Sequence, residues 1–231
     1  MLVNVLCLKH GTKYSYSDVN KLFNMTKRNL TVPFRFVCMT EDPLGLDPDI
    51  TVIPLPAYNI QGWWFKLWSF SSELPLSGTT LFMDLDIVII NNINELFDYE
   101  PNQFCIIQDF IRSTNPTWDR FNSSVFRFDH GKYNYLWDNF VKDLNQVNKY
   151  HGDQDYIYDQ LNDTHAFFPK EWIVSYKWEV RNRKDLFRVG DLIKFKESSN
   201  PQIDPCTKVL VFHGNPKPSD VADPIIIDNW Y

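Results

Sequence analysis

Apolar residues along this chain fall into short, closely spaced runs. Leu2 to Leu8 is almost continuous and ends in the turn-like His10-Gly11-Thr12, which predicts a buried strand. Val19, Leu22, Phe23, Thr26 and Leu30 then recur at helical spacing, and Ser15 with Asp18 forms a capping-box pattern ahead of them. A helix is predicted over 15–30. Phe34 to Thr40 alternates as a strand, and Ile50 to Ile53 is a shorter one closed by Pro54 and Pro56. Trp63 to Leu74 predicts a helix stopped by Pro75, with its aromatic residues directed to the core. Thr79 to Met83 and Ile87 to Ile90 predict strands on either side of Asp84-Leu85-Asp86. Strand, helix and strand joined by long connections require parallel pairing and a layered α/β sheet.

The later half is less regular. Cys105 to Ile107, Ser124 to Phe128, Trp172 to Trp178 and Val209 to Phe212 predict strands, and 135–147 and 154–161 predict helices. The tail from Asn215 is rich in proline and is expected to wrap the surface. No repeat, low-complexity tract or linker divides the chain, so one domain over 1–231 is expected.

Composition narrows the class. Of 231 residues, 44% are hydrophobic and 23% charged, which suits a globular chain and excludes a disordered one. The net charge of −6 argues against binding to nucleic acid or anionic lipid. No apolar run approaches the roughly 20 residues of a membrane span. The first apolar run lacks a basic region before it and a small-residue cleavage site after it, so it reads as a strand and not a signal peptide. The four cysteines include no CxxC pair and predict free thiols in a reducing cytoplasm.

Candidate chemistry concentrates in a few segments. Asp84 and Asp86 interrupt a continuous hydrophobic run, where an unpaired buried carboxylate is costly. On an extended chain they share one face, roughly 6.5 Å apart, so both can converge on one cation. Capping of the next element or pairing with lysines is the bland alternative. Repulsion between the two predicts that removing these like charges raises thermal stability in metal-free buffer. Far along the chain, a strand runs out into His213-Gly214 and Lys217. Two carboxylates and one imidazole suit manganese better than calcium, and a lysine suits phosphate. Lys66 sits in the aromatic Gly62-Trp63-Trp64-Phe65-Lys66 stretch. Asp153, in His151-Gly152-Asp153-Gln154-Asp155, reads first as a helix N-cap. Phe121-Asn122-Ser123-Ser124-Val125-Phe126 reads as a small polar turn entering an apolar strand.

Taken in order, Lys66-Leu67, Phe82-Met83-Asp84-Leu85-Asp86, Asn92 to Phe97, Phe121 to Phe126, Asp153-Gln154 and His213-Gly214-Asn215-Pro216-Lys217-Pro218 resemble the glycogenin family of retaining glycosyltransferases. The resemblance runs over nearly the whole chain, and the opening half is also similar to microbial and viral glycosyltransferase-like proteins. It implies the GT-A (Rossmann-like) nucleotide-diphospho-sugar transferase fold, an α/β architecture with a mixed, mostly parallel central sheet flanked by helices. A nucleotide-binding half over about 1–100, a sugar and acceptor half over about 101–214 and a tail over 215–231 are implied with it.

The resemblance also implies roles. Asp84, Asp86 and His213 would bind Mn²⁺, with Mg²⁺ as the alternative, bridging the diphosphate of a UDP-sugar. Lys217 would contact the diphosphate beside the Gly214 backbone, Leu85 would lie against the donor, and Lys66 would reach its phosphate or sugar. Leu8, Lys9 and Tyr14 would hold the uridine, with Tyr14 stacked on the base. Asp109, Asn122, Ser123, Asp153 and Gln154 would line the sugar. The family's nucleotide loop is rich in threonine and asparagine, whereas this chain has Lys9-His10-Gly11-Thr12-Lys13. The expected activity is transfer of a hexose, glucose first, to an unspecified acceptor with retention, and hydrolysis of the donor beside it. The expected location is the cytoplasm, the host's if the source is viral. Asp153, Gln154 and Lys217 are the catalytic candidates: the lysine stabilises the leaving diphosphate, and the other two stabilise an oxocarbenium-like ring. Two rivals stand beside this: a nucleotidyltransferase making sugar nucleotides, and a non-catalytic UDP-sugar or glycan-binding module.

Overall fold

The computed structural model describes residues 2–162, 164–181, 186–190, 192–195, 201 and 203–231. The chain opens with β1 (Val3–Lys9), α1 (Tyr16–Asn29), β2 (Phe34–Thr40) and β3 (Thr51–Ile53), followed by a 3₁₀ segment over Gly62–Phe70. β4 (Thr79–Met83), β5 (Ile87–Ile89), α2 (Glu95–Asp98), β6 (Phe104–Gln108) and β7 (Phe121–Asp129) come next, then α3 (Asn134–Lys142) and α4 (Asp153–Leu161). β8 (His165–Phe167), β9 (Ile173–Ser175), β10 (Leu186–Val189), β11 (Leu192–Phe195), β12 (Val209–Val211) and α5 (Pro224–Ile227) complete the order.

Seven strands form the central sheet in the order β3-β2-β1-β4-β7-β6-β8. Only β7 runs against its neighbours; β1, β2, β3 and β4 pair in parallel, as do β6 and β8. β5, β12 and β9 make a second, three-stranded sheet, and β10 with β11 forms a hairpin. Strand side chains alternate between two cores, as the pleat dictates. Val5, Cys7, Leu81, Met83 and Val125 join α1, β5 and β12 on one side. Leu6, Phe82 and Phe126 join the Gly62–Phe70 segment, α3 and α4 on the other. Strands buried on both faces explain the near-continuous apolar runs in the sequence.

Several expectations hold: 34–40 and 79–83 match β2 and β4 end for end, and the Asp18 carboxylate accepts the Ser15 N–H at 2.8 Å as a capping box requires. Others need correction. The helix expected over 63–74 is a 3₁₀ segment ending at Phe70. Trp64 to Phe70 are all buried, so no polar face fixes a 3.6-residue stripe. The helix expected over 135–147 breaks at Asp143, whose carboxylate accepts the Asn145 N–H at 3.1 Å and competes with the backbone. The strand expected over 172–178 stops at Ser175 and continues as a π-helical turn, Tyr176–Val180. The polar turn expected at 122–124 lies inside β7, buried throughout. The tail carries a 3₁₀ turn, Pro218–Asp220, and α5. Cys7, Cys38 and Cys105 are free and buried, and Cys206 is free and exposed. Among the described residues no helix is long and apolar enough to cross a membrane.

Candidate active site

The strand order reverses between β1 and β4: successive strands go one way from β1 to β2 and β3, and β4 returns to β1's other edge. Ligands of open α/β sheets bind beyond the carboxyl ends at such a point. Tyr14 follows β1 there, and Asp84 to Asp86 follow β4. The Asp84 N–H still donates to the Ser124 carbonyl of β7 at 2.8 Å, whereas the Asp86 carbonyl accepts the Phe212 N–H at 2.9 Å. The three-residue acidic segment therefore crosses from the large sheet to the small one. The same ladder, with Val211 opposite Ile87, brings His213 alongside.

Each carboxylate holds an ammonium. Lys66 Nζ lies 3.0 Å from Asp84 Oδ1, 3.6 Å from Asp153 Oδ2 and 3.2 Å from both the Ser123 carbonyl and its Oγ. Lys217 Nζ lies 2.5 Å from Asp86 Oδ2, which also accepts the Tyr14 hydroxyl at 2.9 Å. Burial pushes the Asp84 carboxyl up to about 6, against the pull of Lys66 and with a further push from Asp86. Burial draws the Lys66 ammonium down, but the carboxylates of Asp153 and Asp84 outweigh it and raise it overall. Burial and the Asp86 charge push the Tyr14 phenol up.

Local backbone devices aim these groups. Where β6 meets β7, Ile106 faces Phe126 and Ile107 faces Asn122, so a bulge on β7 carries Ser123 toward Lys66. The Asn122 side chain braces that bulge by accepting the Ser124 N–H at 3.1 Å. Gly152 occupies the N-cap of α4 in place of Asp153, which is the first helical residue and is 5% exposed. Asp153 Oδ2 has no hydrogen-bond partner, and Lys66 is its counter-ion. An acidic group on the first turn also meets the positive end of the helix.

The late segment is held by residues that the sequence reading did not single out. His213 Nε2 is 2.8 Å from Ser175 Oγ, and the ring stacks on Phe110 at 5.1 Å and meets Trp178 edge-on at 4.8 Å. The Lys177 ammonium donates to the His213 and Asn215 carbonyls, the latter at 3.1 Å. Gly214 has φ +70°, and a Cβ there would lie 3.1 Å from Lys177 Nζ. Both the backbone and the neighbouring ammonium thus favour glycine. The strand expected over 172–178 takes in Ser175 and Lys177, whose signal in the sequence is polarity within an apolar run.

The remaining candidates are placed as follows. Leu8 is half-buried against the core, and Leu85 is buried in it, so only the Leu85 backbone faces the site. Lys9 is buried and donates to the Asp42 carbonyl at 3.2 Å. Asp109 caps the Phe110–Ser113 turn through the Ile111 N–H at 2.8 Å, and burial raises its carboxyl. Gln154 is half-buried beside Asp153. Among the described residues no group of three or more His, Cys, Asp and Glu side chains is gathered in metal-binding geometry. The donor types fit a divalent cation: two carboxylates and an imidazole reach adjacent strand ends, with both carboxylates at present holding lysines.

The order and direction of the strands are those of a GT-A-like glycosyltransferase fold. A structure of the galactosyltransferase LgtC in complex with donor and acceptor sugar analogues superposes with a TM-score of 0.61 at 13% identity, over 93% of this chain and 88% of that one. The glycosyltransferase GlyE of Streptococcus pneumoniae TIGR4 gives a TM-score of 0.54 at 14% identity over 73% of this chain, and the bifunctional glycosyltransferase WbbM gives 0.59 at 14% over 94%. The chain spans 45% of that GlyE chain and 46% of WbbM. No family model and no curated protein matches the sequence.

Proposed function

We propose that this protein is a metal-dependent glycosyltransferase that moves a hexose, glucose first among them, from a UDP-sugar to an acceptor with retention. The observation that carries this reading is the pair of lysine–carboxylate contacts, Lys66 with Asp84 and Lys217 with Asp86, beyond the strand ends where the sheet order reverses. Two carboxylates beside two ammonium groups form a site able to accept a cation and an anion together, as a metal-bound diphosphate requires.

Asp84, Asp86 and His213 would hold Mn²⁺, or Mg²⁺ in its place, which supplies Lewis-acid stabilisation of the leaving diphosphate. With Asp84 and Asp86 holding the metal, the ammonium groups of Lys66 and Lys217 would be available to phosphate. Lys217 then meets the negative charge that develops on the leaving group, in a site whose buried walls strengthen the attraction. The turn at Gly214 lets the backbone approach the same oxygens. Tyr14, with the Leu8-Lys9 backbone, would hold the uridine. Asp109, Asn122 and Ser123 would line the hexose, and the Leu85 backbone would lie against the donor. Asp153 and the Gln154 amide oxygen would stabilise a cationic ring. When no acceptor is bound, water can take the hexose.

The deciding experiment incubates the protein with Mn²⁺ and each of several UDP-hexoses and measures UDP release. Release from UDP-glucose supports the reading. Tight binding without release makes the protein a UDP-sugar-binding module, and neither binding nor release for any UDP-hexose refutes the proposal.

A further inference from the structure

Trp63 departs from the expectation that the aromatic residues of its segment are core. Its neighbours Trp64 and Trp68 are 7% and 6% exposed, whereas Trp63 is 53% exposed. Half an indole left in water at a fixed place calls for a use.

Its position is set by the 3₁₀ geometry of Gly62–Phe70. Three residues per turn eclipse positions i and i+3, so Trp63 stands one turn before Lys66 on the same face. Lys66 reaches down from that face to Asp84, Asp153 and Ser123. The indole is also pinned from the α4 side. A Cβ added to Gly152 would lie 3.2 Å from the indole nitrogen, with the adjoining ring carbons at 3.6 and 3.8 Å. Gly152 leads directly into Asp153, so the ring lies beside the start of α4, one residue from the carboxylate that pairs with Lys66. It is backed by Gly152, and its exposed part is left to solvent.

We propose that Trp63, seated on Gly152, is a stacking platform for a pyranose ring of the acceptor. An indole face is flat, apolar and negatively polarised. The C–H groups on one face of a pyranose are weakly positive and poorly hydrated, so the two surfaces fit. A donor hexose is tied to its diphosphate beside the lysines, and the ring at the rim is left for the sugar that enters second. This rests on the glycosyltransferase reading above and adds the chemical class of the acceptor: a glycan or glycoside presenting an apolar pyranose face.

The test uses lactose, maltose and cellobiose as probes in saturation-transfer NMR, with the protein alone and loaded with Mn²⁺ and UDP. At least one disaccharide should show transfer concentrated on the C–H protons of one pyranose face. Trp63→Ala should weaken its binding about tenfold or more, the size of a lost aromatic stack, while UDP affinity stays within about twofold. Gly152→Ala, which drives a methyl group against the indole, should weaken the same disaccharide by a second route, and Trp63→Phe should keep part of the binding. The proposal fails if none of the three sugars binds, if Trp63→Ala binds them as the parent does, or if Trp63→Ala loses UDP affinity instead, which would make the ring a base platform. A protein that binds disaccharides through Trp63 but never binds UDP would retain the platform and lose the donor reading.

Discussion

Lys217 and Asp86 are 131 residues apart in the chain, yet their ammonium and carboxylate meet at 2.5 Å at the carboxyl edge of the sheet. The Tyr14 hydroxyl completes the cluster at 2.9 Å. This pairing argues against the expectation that removing Asp86 stabilises the metal-free protein, because Asp86 has its own cation and a phenol donor. Asp86→Ala should therefore lower stability in metal-free buffer by about 1 kcal/mol or more, since it strands two donors. It should also abolish Mn²⁺-dependent UDP binding. Urea unfolding and calorimetry measure the two effects, and a variant more stable than the parent would return the argument to simple repulsion.

Lys66 carries more of the fold. It is 5% exposed, and its removal leaves Asp153 without a counter-ion in a buried position. Lys66→Met should cost about 3–5 kcal/mol, the range for breaking a buried pair from one side. The double variant with Asp153→Asn should recover part of that loss. A strictly additive double variant in urea unfolding would show that the 3.6 Å contact is energetically silent.

Lys217→Ala should lower kcat for UDP release by about 10²-fold, with a smaller change in donor affinity, because its charge matters most as the diphosphate leaves. Raised KM with unchanged kcat would make it a uniform binding residue.

The raised Asp84 carboxyl gives a pH signature. With its folded value at about 6, the folded metal-free protein retains a proton between pH 4 and 6 that the unfolded chain has lost. Stability from this group is thus greatest at the acid end of that window and falls as pH rises, by about 3 kcal/mol in all. Asp84→Asn should flatten that part of the profile. Parallel parent and variant curves in urea unfolding from pH 4.5 to 7.5 would contradict the assignment.

Retention predicts an α-linked product, or free α-hexose, from an α-configured UDP-hexose. The amide of Gln154 cannot take a proton from an attacking group, whereas its oxygen can hold a cationic ring. Proton NMR of the first product reads the anomeric coupling directly. A β product would remove both retention and the role given to Gln154, and would make Asp153 or Asp155 the general base.

The parts of this fold written in local pattern were legible. β2 and β4 follow from their apolar runs, and α1 from its capping box and helical spacing. The Asp84-Leu85-Asp86 interruption was legible because polar residues are rare between buried strands. What escaped was set by tertiary packing. The 3₁₀ winding of Gly62–Phe70 goes with the burial of Trp64 to Phe70, and three residues per turn cannot be separated from 3.6 over nine aromatic-rich positions. Ser175 and Lys177 fall in an apolar run that reads as strand, and only the folded chain brings them to His213. β8 and the hairpin of β10 and β11 lack the strong alternation that marks a strand in sequence. The N-cap expected of Asp153 falls instead to Gly152, one residue earlier.

The acidic segment spans a seam. Asp84 is anchored by its N–H to β7 in the seven-stranded sheet, and Asp86 by its carbonyl to the end of β12 in the three-stranded one. Only Leu85 lies between them, and its side chain is locked in the core. The gap between the two carboxylates is therefore a gauge of how the two sheets sit against each other. A cation gripping both would work as a rivet across the joint, and a mutation that lets the sheets slide, however far from the site, would loosen that grip without touching a single ligand.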